Sequence, residues 1–393
     1  MTGECRGPGM LLCAGYTALA YLAVGLPLAV LPGWALDLGF GPVVGGLLVS
    51  AQYLSTVASR LLVGPMIDRS GPRRGVVLGF LCCAGAGIAT VAALQFPSPA
   101  AALAVMLAGR LLLGAGESLV STSAMLWGIA RIGAPQAARM ISWNGIATYA
   151  AIAAGAPLGV VLSERGGLVL LGAALTSIGI AGCALALVQP PMRAPETVRM
   201  PIRSVFARVF PFGAVLALAT IGFGVVTAFV TLFFAAAGWR DGWMALSAFG
   251  GGFVVSRMLF AARLESRSGL RSASRFLAVE AAGLALLYLS ASPLMAVAGA
   301  AITGFGFAMI FPALGVIVIE QVPPQSRGTA IGTFALFVDG ALCAAGPLAG
   351  AIAACSNYAL PFAAAALCAL VGLWVTLSLQ TARRRHEAER VTW

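Results

Sequence analysis

Charge is what this chain has least of. Only 9% of its 393 residues are Asp, Glu, Lys or Arg, where a soluble domain carries about 25%. Lysine is missing altogether, and all 24 basic residues are Arg, which we read as the bias of a GC-rich genome. The one histidine, His386, stands in a charged C-terminal tail. Histidine-based catalysis or metal binding inside an apolar segment is thereby excluded. The eight cysteines (5, 13, 82, 83, 183, 343, 355, 368) contain no Cys-x-x-Cys pair and lie mostly in apolar runs. Buried free thiols are expected, not disulfides or metal ligands. The N-terminus shows no small-residue cleavage site behind a short apolar core, so its first apolar run is expected to stay as an anchor.

What is present is apolar. Hydrophobic residues make up 60% of the chain, mean hydropathy is +0.97, and 49 glycines suit close helix packing in lipid. Backbone inside a bilayer must satisfy its own hydrogen bonds, so the expected fold class is an all-α polytopic membrane protein. Runs of bilayer-spanning length, about 20 residues, predict twelve spans at about 10–32, 42–63, 75–95, 100–126, 141–163, 168–189, 209–236, 243–263, 273–291, 293–319, 328–354 and 358–379. With the N-terminus inside, 20 of the 24 Arg fall in or beside cytoplasmic segments. Arg165 and Arg240 fall outside, and Arg110 and Arg257 within spans. That bias predicts cytoplasmic N- and C-termini. It also explains the net charge of +11 by topology, so no nucleic-acid partner is expected.

Residues 190–208 interrupt the apolar pattern with Pro190, Pro191, Pro195 and Pro201 and four Arg. They read as a cytoplasmic linker between a first half, 1–189, and a second, 209–380, with a cytoplasmic tail at 381–393. Weak internal repetition supports two six-helix pseudo-repeats. Asp68-Arg69-Ser70-Gly71 returns as Ser266-Arg267-Ser268-Gly269, and Pro135-Gln136 as Pro324-Gln325. Ala156-Pro157-Leu158 returns as Gly346-Pro347-Leu348. All three pairs are offset by about half the chain, the arrangement of parallel repeats in transporters.

Between the second and third spans lies Gly64–Arg74, Gly-Pro-Met-Ile-Asp-Arg-Ser-Gly-Pro-Arg-Arg, read as a water-side turn. Asp68 can accept hydrogen bonds from an Arg or from amides at a helix N-terminus. The stretch resembles the helix 2–3 loop signature of the major facilitator superfamily, Gly-x-(Leu/Met)-x-Asp-Arg-x-Gly-x-Arg. Gly64, Met66, Asp68, Arg69, Gly71 and Arg73 match it. The resemblance implies a loop that latches the two halves on the cytoplasmic side.

Span 4 carries Arg110-Leu111-Leu112-Leu113-Gly114-Ala115-Gly116, similar to the family's Arg-x-x-x-Gly-x-Gly but with Leu113 where Gln is usual. In the family this Arg is linked to proton movement. Arg110, Gly114, Glu117 and Ser121 share one helical face. A charge at mid-bilayer costs about 2.5–3.5 kcal/mol on insertion scales, so each needs a partner or a task. Arg110 and Glu117 stand about two turns, roughly 10 Å, apart along the axis, too far for direct pairing. A structural polar network and a proton-coupling role both remain open. In span 5, Gly155-Ala156-Pro157-Leu158-Gly159 is a diluted form of the antiporter signature Gly-Pro-x-x-Gly-Gly. Pro157, and Pro347 in span 11, favour kinks. Asp339, in span 11, is a reserve proton site or a neutral, hydrogen-bonded acid. Asp37, Glu164, Glu280 and Glu320 are read as solvated.

Residues expected to line a cavity are Thr17 and Tyr21 in span 1, Gln52 and Thr56 in span 2, and Ser121 in span 4. Asn144 and Tyr149 in span 5, Phe223, Thr227, Thr231 and Phe234 in span 7, and Thr303, Phe307 and Phe311 in span 10 complete the set. An aromatic pocket with a few hydroxyls suits an amphipathic organic solute. The chain is identified as a secondary transporter of the major facilitator superfamily, most similar to the drug:proton antiporter and sugar-efflux-like branch. The resemblance implies proton-coupled export of a small organic compound from the bacterial cytoplasm across the inner membrane. Uptake of a small metabolite is the alternative. No cofactor is expected, the partners are substrate, protons and lipid, and a monomer suffices. A membrane-embedded enzyme would need an intramembrane His, a metal cluster or a nucleophile motif, and none is present.

The Arg distribution carries a direct test. A reporter active only in the cytoplasm should be on when fused after Trp393 and off when fused near Arg240. The reverse pattern overturns the orientation.

Overall fold

In the computed structural model the residues described are 7–132, 137–190, 202–260, 269–323 and 327–391, and every regular element among them is helical. The helices are α1 (Gly7–Gly25), α2 (Leu31–Asp37), α3 (Pro42–Ser70), α4 (Pro72–Ala93), α5 (Pro99–Ile132) and α6 (Ala137–Leu187). There follow α7 (Ile202–Ala236), α8 (Trp243–Phe260), α9 (Gly269–Tyr288), α10 (Pro293–Phe307), α11 (Ile310–Glu320), α12 (Arg327–Cys355) and α13 (Leu360–Val391). Eight helical stretches among the described residues are each long and apolar enough to cross a membrane.

Among the described residues thirteen helices make twelve spans, because two spans are each broken into two helices and two others are joined in one. Span 1 is α1 and α2 in series, interrupted by turns at 26–30 where Pro27 withholds an amide. Span 10 is α10 and α11. They meet at Ala308 and Met309, where Ala308 keeps helical dihedrals but Pro312, four residues on, has no amide to offer the Ala308 carbonyl. Conversely, α6 holds spans 5 and 6, divided where Gly166 and Gly167 leave helical geometry. Proline opens several helices, Pro42, Pro72 and Pro293 among them, where the missing amide would have had no partner anyway. Ser292 caps α10 by accepting from the Met295 amide (3.3 Å). Asn357 Oδ1 accepts from the amides of Ala359 and Leu360, both 2.9 Å, before α13.

The chain divides into two compact units. One comprises Met1–Glu196 with Asp241–Ser247, the other Thr197–Arg240 with Ala248–Trp393. In the first, α1 packs on α6, α3 on α5, and α4 on both α5 and α6. In the second, α7 packs on α12, and α9 on α10 and α13. The 3–4, 3–6 and 1–5 pairings of one unit therefore return as 9–10, 9–12 and 7–11 in the other, which is the two-repeat plan. The linker expected at 190–208 falls mostly outside the described residues, as do the Pro135-Gln136 and Pro324-Gln325 repeats. α7 begins inside it, at Ile202.

One expectation is corrected. Gly64–Arg74 is not an eleven-residue turn. α3 remains helical through Ser70 and α4 starts at Pro72, so the connection is the single residue Gly71. Its φ of +80° is the left-handed region that L side chains avoid, and its amide caps α3 through the Ile67 carbonyl at 2.8 Å. α3 continues through this stretch because nothing in Met-Ile-Asp-Arg-Ser breaks a helix once Pro65 is accommodated. The side chains of Asp68 and Arg69 lie outside the described residues.

Spans 1 and 5 approach closely. A Cβ on Gly155 would stand 2.8 Å from Gly25 Cα, and one on Gly159 would overlap the Leu26 carbonyl oxygen. Pro157 lies between them inside α6. It leaves the Ala153 carbonyl without an amide, and Ser247 Oγ donates to that oxygen at 2.9 Å. Gly159→Leu should therefore cost at least the roughly 1–3 kcal/mol typical of overpacking. A lowered thermal midpoint in detergent is expected, with Gly15→Ala, where no atom lies within 4 Å, as the neutral control. An unchanged midpoint for Gly159→Leu would show that this contact is not tight.

Candidate functional site

The polar centre of the first unit lies between α3 and α5, which run parallel and are joined by side-chain-to-backbone hydrogen bonds. Ser55 Oγ donates to the Leu111 carbonyl at 2.6 Å, and Thr56 Oγ1 to that of Gly114 at 3.1 Å. The helices meet so closely at Gly114 that an added Cβ would overlap the Gln52 carbonyl oxygen. This is why the glycine of the Arg-x-x-x-Gly pattern sits one turn after the Arg.

Arg110 projects from this seam. Its Nε donates to the Leu48 carbonyl at 2.8 Å, which fixes the plane of the guanidinium. The residue is 3% exposed, yet Nη1 and Nη2 have no hydrogen-bond partner among the described residues. Gln52, one turn beyond Leu48, is fully buried, and both atoms of its side-chain amide are likewise without a partner. Glu117 is buried on the face of α5 that carries Arg110, and its charge, with the Tyr53 hydroxyl, reaches the guanidinium. Ser121 continues that face and is also buried. The arrangement concentrates one fixed cation, one carboxylate and one amide in a membrane interior.

Around this centre the sequence expectations fall into place unevenly. Thr17 Oγ1 donates to Asn144 Oδ1 at 2.5 Å, tying span 1 to span 5. Tyr21 and Tyr149 are half-buried in the same unit. In the second unit Phe223 stacks on Phe249 and Phe307, with centroids 5.2 and 5.5 Å apart. Arg257 lies over Phe253 at 5.2 Å. Thr227 spends its hydroxyl on its own helix, donating to the carbonyls of Phe223 and Gly224. Asp339 is buried in α12. Pro157 and Pro347 both lie inside helices.

The family model of the Major Facilitator Superfamily matches residues 13–279. The chain belongs to that family. An uncharacterized MFS-type transporter of Burkholderia mallei (strain SAVP1) is 44% identical over 372 residues, covering 94% of this chain and 91% of its own. One from Pseudomonas aeruginosa (strain UCBPP-PA14) is 45% identical over 372 residues, covering 94% and 92%. Among solved structures, the human organic anion transporter MFSD10 (TETRAN) superposes with a TM-score of 0.69 at 16% identity, over 96% of this chain and all of that one. The nucleoside transporter NupG gives 0.68 at 16%, over 93% and 99%. At that identity the likeness concerns the fold, the twelve-helix fold of the superfamily. The protein is a multi-pass membrane transporter and not an enzyme.

Sequence reasoning misjudged Glu280. It was expected in solvent near a helix end, but the structure buries it completely in α9, and neither carboxylate oxygen has a hydrogen-bond partner among the described residues. Two glycines make room for it. A Cβ on Gly222 would stand 2.8 Å from its Oε1, and one on Gly306 would stand 2.7 Å from its Cα. The signal was available: Leu277, Ala281, Leu284 and Leu287 are buried with it on the same helical face. A buried polar group without a partner costs about 1–3 kcal/mol. Glu280→Met should accordingly raise the thermal midpoint of the purified transporter by several degrees. A fall would mean that the carboxyl group is held by an interaction that stabilises the fold.

Proposed function

We propose that this transporter couples the proton gradient to the movement of a small amphipathic organic compound by alternating access, and that it belongs to the drug:proton antiporter and sugar-efflux-like branch. The observation that carries the reading is the pair of buried charges on α5, Arg110 and Glu117. A charged side chain in a membrane helix marks an ion or substrate pathway. Glu117 is the proton carrier in this reading, Arg110 its electrostatic modulator, and Asp339 the reserve. Tyr21, Gln52, Ser121, Asn144, Tyr149, Phe223, Thr227 and Phe307 line the route. Gly64, Asp68, Arg69, Gly71 and Arg73 latch its cytoplasmic end. The protein works as a monomer in the bacterial inner membrane with both termini inside, and substrate, protons and lipid are its partners.

Export is the first direction. It is supported by the close, kinked crossing of spans 1 and 5 at Gly155, Pro157 and Gly159, despite the glycines lost to Ala156 and Val160. Uptake is a second reading, and one observation favours it. A buried guanidinium whose terminal nitrogens have no partner among the described residues draws anions. An anion at Arg110 and a proton at Glu117 compensate each other's charge, so each strengthens the binding of the other. Ligands that bind together travel together, whereas a cation would compete with the proton and travel against it.

Accumulation of candidate solutes, measured with and without a proton gradient in cells that overproduce the protein, separates the directions. Higher accumulation on dissipating the gradient supports export, lower accumulation supports uptake, and no change for any solute removes the coupled-transport reading. Glu117→Gln keeps size and hydrogen bonding but cannot ionise. It should still bind substrate yet lose uphill transport. Wild-type uphill transport by that variant would make Glu117 structural and pass the test to Asp339→Asn.

A further inference from the structure

We infer that the compound carries a single carboxylate, or an oxyanion of the same shape, and that Arg110 and Gln52 receive it. The inference rests on the second, uptake reading above and names the head group bound at its polar centre. It starts from an imbalance. An arginine cannot shed its charge, and a buried charge is stable only when paired and hydrogen-bonded. Arg110 has one bond to the protein, Nε to the Leu48 carbonyl, and two buried terminal nitrogens with none among the described residues.

The geometry selects the shape of the missing partner. With Nε anchored, the guanidinium cannot rotate to seek backbone carbonyls. Its remaining edge, Nη1 and Nη2, is a pair of parallel donors that matches the two oxygens of a carboxylate. Gln52 supplies a further donor, Nε2, which also lacks a partner among the described residues. Leu48, Gln52 and Thr56 follow one another by single turns along α3. Thr56 and the Gln52 backbone are fixed against Gly114 on the turn of α5 after Arg110. Arg110 and Gln52 thus belong to the same seam. Three donors on this one seam are left without a partner among the described residues, and no acidic oxygen among those residues is bonded to the fork.

The size and charge of the ligand follow. One fork and one amide satisfy one carboxylate, so a dicarboxylate would leave a second charge unpaired in hydrocarbon. The rest of the molecule is read as aromatic, because Tyr21 and Tyr149, half-buried in the same unit, are the aromatic residues proposed along the route there. Coupling follows as well. The anion and a proton on Glu117 support one another, which places a substrate of this class with the uptake direction.

The test compares three compounds with one ring and different heads on the full-length protein in lipid nanodiscs, with no gradient applied. The probes are benzoate, benzamide and benzylammonium, and the readouts are thermal midpoint and equilibrium binding. Benzoate alone should raise the midpoint. Hydrogen bonds to a charged group contribute about 1.5–3 kcal/mol, so Arg110→Gln should weaken benzoate roughly ten- to hundredfold. Arg110→Lys keeps the charge but loses the fork and should also weaken it markedly. Gln52→Leu should weaken it several-fold. The lysine and leucine variants carry the test if Arg110→Gln does not fold. Equal shifts from the three probes, preference for benzylammonium, no benzoate shift at any soluble concentration, or a benzoate shift that survives in Arg110→Lys and Gln52→Leu each overturn the assignment. Because binding is read without a gradient, loss of the head-group assignment leaves coupled transport standing. Benzoate binding without gradient-driven transport does the converse.

Discussion

Hydrocarbon offers no hydrogen bonds, and that single constraint organises the protein. It forces the backbone into helices. It turns hydroxyls inward, so that Thr90, Thr220, Thr303 and Thr376 each donate to the carbonyl four residues earlier. It also makes every polar atom that finds no internal partner conspicuous. Arg110, Gln52 and Glu280 are among the buried groups that keep such atoms without a partner among the described residues.

Close packing is the other side of the same constraint. Lipid tails are as apolar as leucine, so burial of apolar surface cannot hold membrane helices together. Close contact and hydrogen bonding must do it. Gly25, Gly155 and Gly159 bring spans 1 and 5 into backbone contact, and Gly114 does the same for spans 2 and 4. In the second unit Gly252 and Gly304 do so for spans 8 and 10. The polar centre depends on this. Only because α3 and α5 touch at Gly114 can the Leu48 carbonyl hold Arg110 in one orientation.

Two buried carboxylates, Glu117 and Glu280, differ in surroundings. Glu117 shares a helix face and an electrostatic environment with a cation. Glu280 lies in a notch of glycine and leucine. One environment can answer a change of charge nearby; the other has no such neighbour among the described residues. That contrast, and not burial alone, is why the proposed proton route runs through Glu117.

The sequence by itself determined the class, the spans and the repeat. Hydropathy reads out transfer energies that act residue by residue, and the Gly-x-Met-x-Asp-Arg-x-Gly-x-Arg and Arg-x-x-x-Gly-x-Gly patterns pointed to the superfamily to which the chain belongs. It also placed Arg110, Glu117 and Gln52 among the residues of interest, since an apolar run makes any charge or amide visible. Only the tertiary structure decided which of them have partners. The turn at Gly64–Arg74 shrank to Gly71 because helix ends depend on how far a helix projects, which composition does not encode. Glu280 moved from solvent to full burial because the glycines that admit it, Gly222 and Gly306, lie 58 residues before it and 26 after it in the chain. The open edge of Arg110 is a fact about Leu48, 62 residues away, and such pairings between distant helices are written in packing, not in local pattern.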